Sequence, residues 1–279
     1  MKILQAQIAV PPRKLDALEA VEEACGRAAR EGAGLLALPE MFCCPYEAQN
    51  FPRYAEEEGG LVWSRCSALA RAHKLYISAG SMPERGADGK VYNTAYVFDR
   101  SGRQVAKHRK LHLFDINVKG GQSFQESDTL AAGNDITVFH TEFGCMGLCV
   151  CYDFRFPELA RLMALRGAKL ILVPAAFNMT TGPAHWELMF RAQAMFNQCF
   201  AVGTAPARDL SASYHSWGHS IAVGPWGNVI RQMGAEAGYQ ALELDLSEVD
   251  AVREQLPLLR HRRANLYTLE ERSYESGHD

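Results

Sequence analysis

The stretch GLCVCYDFRFPE, residues 147–158, sets two cysteines one residue apart and then turns polar. Cys149 lies inside the apolar run, where a free thiol packs as a small hydrophobe. Cys151 ends the run and is followed at once by Tyr152, Asp153 and Arg155. A helical pattern then starts at Pro157, a residue suited to a first turn. A thiol at a strand end near a helix N-terminus sits where α/β sheets form ligand sites and where a thiolate is favoured. Nucleophilic chemistry there needs a proton acceptor and something to hold a developing oxyanion. Nine histidines are present, yet none forms a local signature with Cys151. Two other residues close strand patterns: Glu40 at the end of LLALPE and Lys110 in KHRKLHLFD. A carboxylate in a desolvated pocket relays protons near neutral pH, and an ammonium balances a thiolate or an oxyanion. Taken singly, Glu40 reads better as a loop cap and Lys110 as a solvated surface charge.

Other chemistries find less support. His108/His112 and His215/His219 have the i,i+4 spacing that suits zinc on a helix, but neither pair lies in a helical pattern. There is no H-E-x-x-H, C-x-x-C, G-x-G-x-x-G, Walker loop or G-x-S-x-G. Neither a metal nor a cofactor is expected. The 279 residues are 48% hydrophobic and 22% charged, with a formal net charge of −3. That is the composition of a globular chain with a sizeable core, and it gives no basic surface for nucleic acid or membrane. No apolar stretch approaches the roughly 20 residues of a membrane span. The opening MKILQAQIAVPPRK turns polar too early for a signal peptide. A cytoplasmic protein with its eight cysteines reduced is expected.

The elements that must position these residues follow from periodicity. Residues 2–10 read as a strand, 14–33 as a helix and 35–40 as a short strand, which makes one βαβ unit. A helix over about 60–73 precedes a strand over 75–84. Residues 91–110 form a hairpin turning at Ser101–Gly102, and 111–134 read as an irregular loop. A second hairpin, 135–151, bends near Phe143–Gly144. Helix 157–168, strand 169–176, helix 184–198 and strand 200–207 alternate after it. A third hairpin, 220–233, turns at Gly224–Gly227, and strand 240–246 leads into helix 247–257. Alternation predicts an α/β fold, and the hairpins predict mixed sheets. Without a linker or repeat, one domain over 1–279 is expected, frayed from about 270.

Four segments in this order, LALPEMF, HRKLHLFD, FQESDTLAAG and GLCVCYDFRFPELA, resemble the nitrilase superfamily of carbon–nitrogen hydrolases. The resemblance runs over residues 1 to 270. It implies an α/β fold built as a four-layer α-β-β-α sandwich with two mixed β-sheets, and a Glu-Lys-Cys triad helped by a second glutamate. Cys151 would be the nucleophile, Glu40 the general base and then acid, and Lys110 the oxyanion stabiliser. Glu126 would position substrate and Lys110, and the Tyr152 N–H would complete the oxyanion hole. The resemblance also implies a small-molecule amide as substrate and a homodimer or higher homo-oligomer. Tyr152-Asp153 after the cysteine looks like the amidase branches. AFNMTTGPAHWELMFRAQAMFNQ, CPY at 44–46, APARD at 205–209 and SYHSWGHS at 213–220 resemble the ω-amidases. Those cleave the terminal amide of 2-oxoglutaramate and 2-oxosuccinamate to the 2-oxo diacid and ammonia. Amidases of deaminated glutathione share part of this pattern, and N-carbamoyl compounds or nitriles are further alternatives. A non-catalytic scaffold or a metal-dependent hydrolase would be a different class. A substrate carboxylate needs a clamp, for which Arg155, Tyr46, Thr181 and Arg65 are candidates. Phe177 either lines the pocket or belongs to the core.

Overall fold

The computed structural model describes residues 1–272. In chain order, β1 (Lys2–Gln7), α1 (Lys14–Arg30), β2 (Leu35–Ala37), α2 (Phe51–Tyr54), α3 (Leu61–His73) and β3 (Tyr76–Ser78) come first. Strands β4 (Met82–Arg85), β5 (Val91–Phe98), β6 (Gln104–Arg109), β7 (Asp115–Asn117) and β8 (Ser123–Gln125) follow. Next are β9 (Thr137–Thr141), β10 (Gly144–Leu148), α4 (Pro157–Leu165), β11 (Leu170–Pro174), α5 (Gly182–Asn197) and β12 (Phe200–Thr204). Strands β13 (Ile221–Val223), β14 (Val229–Gln232) and β15 (Gly238–Glu243) lead to α6 (Ser247–Gln255). One sheet runs β15-β1-β2-β3-β5-β4 with β6 on β5, and the other runs β14-β13-β12-β11-β10-β9. Each has a parallel centre, β1-β2-β3 or β10-β11-β12, and antiparallel flanks. The mixed sheets predicted from the hairpins are present.

Strand periodicity sorts the layers. On β1, Leu4 and Ala6 pack with Leu18, Val21, Leu69 and Ala70 of α1 and α3. Ile3 points the other way and joins a core with Leu148, Leu172 and Ala201 of the second sheet. Beyond that sheet, Leu159, Met163, Phe190 and Ala194 of α4 and α5 close the fourth layer. The order is therefore helices, sheet, sheet, helices.

Two readings change. The segment 111–134 is not wholly irregular, because β7 and β8 pair antiparallel within it. Their three-residue, mostly polar strands lack the apolar alternation that marks a strand. The expected strand 75–84 is broken into β3 and β4 at Gly80, whose φ is +54°. A side chain there would also place Cβ 2.0 Å from the Pro39 carbonyl oxygen, so only glycine lets this bend pass beneath the Glu40 turn. The predicted fraying from about 270 falls largely on residues 273–279, outside the described residues. Among the described residues, no helix is long and apolar enough to cross a membrane.

The strand that delivers Lys110 is held by a buried acid. Glu84 on β4 accepts hydrogen bonds from Lys107 Nζ (2.6 Å), Arg109 Nη2 (2.8 Å) and Thr94 Oγ1 (2.6 Å). Burial works against its charge, but these donors override that and hold its pKa at about 2, below the 4.5 of an ordinary glutamate. A lowered folded-state value stabilises the fold above about pH 4.5, and that contribution disappears as pH falls through about 2. Glu84→Gln should thus cost about 2 kcal/mol near neutral pH, with solvent around Lys107 and Arg109 limiting the loss. Urea melts at descending pH check this: the gap between variant and wild type should close in acid.

Candidate active site

Glu40, Lys110 and Glu126 meet in one cluster, and all three are fully buried. Glu40 sits in the tight turn after β2, which is pinned by Ser81 N–H to Pro39 O (3.2 Å) and Met41 N–H to Ser81 Oγ (3.1 Å). Lys110 follows the last residue of β6, and its carbonyl accepts from Gly133 N–H (2.9 Å). Glu126 opens the short helical turn after β8. Lys110 Nζ donates to Glu40 Oε1 (3.0 Å) and to Glu126 (2.9 Å). An ammonium has three donors, and the third reaches only the Tyr46 hydroxyl, at a long 3.5 Å. Glu40 is fixed further by Asn93 Nδ2 (2.8 Å) and by the Ala176 N–H (2.8 Å). Glu126 also accepts from the Phe114 N–H (2.7 Å).

Cys151 joins this cluster. Its thiol is near enough to the Glu40 carboxylate for the two groups to perturb each other, and it is nearly buried, at 5% exposure. The residue has φ +47°, a left-handed conformation that costs a non-glycine residue about 1 kcal/mol. It begins the short turn Cys151–Arg155, two residues ahead of α4. The first hydrogen bond in that turn runs from Asp153 N–H to Val150 O (3.0 Å). The Tyr152 N–H ahead of it has no acceptor within the turn, as at any helical N-terminus.

The electrostatics follow from burial and from the charge count. Burial pushes the Cys151 thiol well above its ordinary value, and the adjacent Glu40 adds to this while Lys110 opposes it. The resting group is a thiol, not the thiolate expected from the helix end. Burial also raises Glu40, against the pull of Lys110. Burial disfavours the Lys110 ammonium, yet Glu126 and Glu40 outweigh it and hold the group protonated. A thiol next to a basic, desolvated carboxylate can pass its proton to it.

The remaining candidates divide. Tyr46 is drawn into the cluster, donating to Glu126 Oε1 (2.6 Å), and its ring packs 4.6 Å from that of Tyr214. Both tyrosines, with Glu40, Met41, Cys44 and Ala176, line a cavity of about 470 Å³. Arg155 is half-buried beside Cys151, with its guanidinium 4.4 Å from the Phe177 ring. Nη1 contacts His185 Nδ1 (2.9 Å), while Nη2 is buried and has no hydrogen-bond partner among the described residues. Phe177 therefore supports Arg155 from the core and also packs on Trp186. Thr181 Oγ1 donates to Asn178 Oδ1 (3.1 Å) in the turn opening α5, so its proton is engaged. Arg65 is elsewhere: it is exposed on α3 and pairs with Glu22 of α1 (2.5 Å). Asn93 and Tyr214 escaped the sequence reading. Asn93 carried a signal, since a polar residue in the fully buried strand β5 needs a partner. Tyr214 lies on an irregular segment, inside the SYHSWGHS stretch that resembles the ω-amidases, but that match gave the tyrosine no role.

A desolvated Glu-Lys-Glu cluster with a thiol at the end of a strand, held between two helix-covered mixed sheets, defines a hydrolase of carbon–nitrogen bonds. The family model for carbon-nitrogen hydrolase matches residues 3–254, and this chain belongs to that family within the nitrilase superfamily. It is similar to omega-amidase NIT2-B of Xenopus laevis, with 47% identity over 95% of this chain and 96% of that protein. The crystal structure of Saccharomyces cerevisiae Nit3, a branch 10 nitrilase-superfamily member, superposes with a TM-score of 0.87. It shares 36% identity over 94% of this chain and 96% of its own. An amidase from Nesterenkonia sp. AN1 is more distant, at 27% identity and a TM-score of 0.79, covering 95% of this chain and 98% of its own. The structure is of a Glu-to-Gln mutant of that amidase and shows acrylamide added at its active-site cysteine.

Proposed function

We propose that this protein is an ω-amidase, which hydrolyses the terminal amide of a short 2-oxo dicarboxylic acid monoamide such as 2-oxoglutaramate. Cys151 Sγ attacks the amide carbon while its proton passes to Glu40. The carbonyl electrons move to oxygen, and Lys110 and the Tyr152 N–H hold the oxyanion. Collapse re-forms the carbonyl and breaks the C–N bond, and Glu40 gives its proton to the departing ammonia. Water then attacks the Cys151 thioester with Glu40 as base, and the returning proton restores the thiol. The observation that carries this reading is Lys110 Nζ lying 2.9 Å and 3.0 Å from two fully buried carboxylates, with the Cys151 thiol beside one of them.

The 2-oxo acid class rests on Arg155. Its buried Nη2 has no hydrogen-bond acceptor among the described residues, and a substrate carboxylate would supply a charged one. The X. laevis relative, an omega-amidase by name, supports the same class. An ammonia-release screen should show 2-oxoglutaramate far ahead of plain aliphatic amides, N-carbamoyl compounds, nitriles and deaminated glutathione. Arg155→Met should raise KM for the oxo acid by about 10- to 100-fold, because a charge-assisted contact is lost. It should leave turnover of a neutral amide nearly unchanged. No preference for the oxo acid in wild type would reject the substrate class and leave the hydrolase chemistry standing.

A further inference from the structure

Asp153 lies two residues past Cys151 and is fully buried, yet it takes no part in the steps above. Its carboxylate accepts five hydrogen bonds. Oδ2 receives Val150 N–H (3.1 Å) and His108 Nε2 (2.9 Å). Oδ1 receives Leu111 N–H (3.1 Å), His112 N–H (2.9 Å) and His112 Nδ1 (2.8 Å). Burial opposes its charge, but the His108 and His112 contacts prevail and hold it well below the usual carboxylate range. The donors come from two places: the residue before Cys151 on one side, the residues on both flanks of Lys110 on the other. The histidines spaced i,i+4 around Lys110 thus converge on one oxygen pair. His108 is buried and also contacts Thr137 Oγ1 through Nδ1 (3.0 Å). His112 is a third exposed, and its ring stacks on Phe156 at 3.7 Å and 11°.

From this geometry we infer that Asp153, with His108 and His112, is the positioning group that sets the distance between the Cys151 sulfur and the Lys110 ammonium. Cys151 is in a left-handed conformation that its own backbone disfavours, so something outside the residue must hold it. The Val150 bond fixes the chain on its N-terminal side. The Leu111 and His112 bonds fix the peptide that follows Lys110. One rigid carboxylate therefore ties two reacting groups that are far apart in sequence. Geometry of this kind governs rate, since misplacement by about 1 Å can cost on the order of 100-fold. The inference rests on Cys151 and Lys110 being the reacting groups.

Asp153→Asn is the direct test, because the amide NH2 must face at least two donors whichever way it lies. The expected result is a fall in kcat of about 100-fold with KM within about threefold. Alkylation of Cys151 by iodoacetamide should slow in parallel, followed by tandem mass spectrometry with the partly exposed Cys145 as internal reference. A folded Asp153→Asn enzyme with wild-type kcat, or with its loss confined to KM, overturns the inference. If that variant does not fold, His112 decides. His112→Phe keeps the stack on Phe156 but has no donor, whereas His112→Asn keeps a donor where Nδ1 was. His112→Phe should lose about tenfold in kcat, and His112→Asn should recover most of that. Equal losses in the two, or a larger loss in His112→Asn, overturn the inference. Turnover by Cys151→Ala would instead reject the underlying chemistry, so the two failures are separable.

Discussion

Cys151→Ala should stop ammonia release, with turnover falling on the order of 10⁵- to 10⁶-fold, the scale lost when a covalent nucleophile is removed. The size of the effect comes from the route. Without sulfur there is no thioester, and water would have to attack an unactivated amide directly. Glu40, Lys110 and the Tyr152 N–H would remain in place, so substrate should still bind. Cys149→Ala is the matched control. That thiol is buried in the apolar core between sheet and helices, where burial pushes its pKa well up and keeps it inert. Its loss should cost about 1–2 kcal/mol of stability through a small cavity and leave kcat near wild type. Parallel ammonia assays and thermal melts on the two variants check both claims. Turnover by Cys151→Ala within tenfold of wild type would remove the covalent mechanism.

The contrast between these cysteines was legible in the sequence, because one lies within an apolar run and the other ends it. The same logic found Glu40 and Lys110 at strand ends, but their meeting across 70 residues was not readable from either position. Only the ordered set of four motifs joined them. Periodicity recovered the long elements for the same physical reason: a buried face must repeat. It failed where no face repeats, as in the polar ribbon β7–β8, whose job is to carry Glu126 under Tyr46. It could also have corrected Arg65. On α3 the buried positions are Val62, Cys66, Leu69 and Ala70, and Arg65 falls outside that stripe, on its exposed flank. Asp153 was visible as part of an abrupt polar cluster. What it binds depends on β6 lying against the nucleophile turn, a tertiary fact with no local trace.

Lys110→Met should be nearly as damaging as loss of the sulfur, for two reasons that add. Lys110 bridges two fully buried carboxylates, whose oxygens lie 3.0 Å and 2.9 Å from Nζ. Without it, an oxyanion donor is gone, a loss of about 100- to 1000-fold. The two carboxylates then face each other in a desolvated site, where like charges do not both ionise and one takes up a proton. Glu40, already raised by burial, shares that proton and ceases to be a full-time base. A combined fall in kcat of about 10⁴-fold follows. Stability should drop by about 3–5 kcal/mol, the cost of breaking a buried ion cluster from one side. Adding Glu126→Gln separates the two effects, because it removes the rival charge without restoring the donor. In that double variant the melting midpoint should recover substantially while kcat stays far below wild type. A double variant that regains wild-type turnover would show that Lys110 serves only to neutralise charge and stabilises no oxyanion.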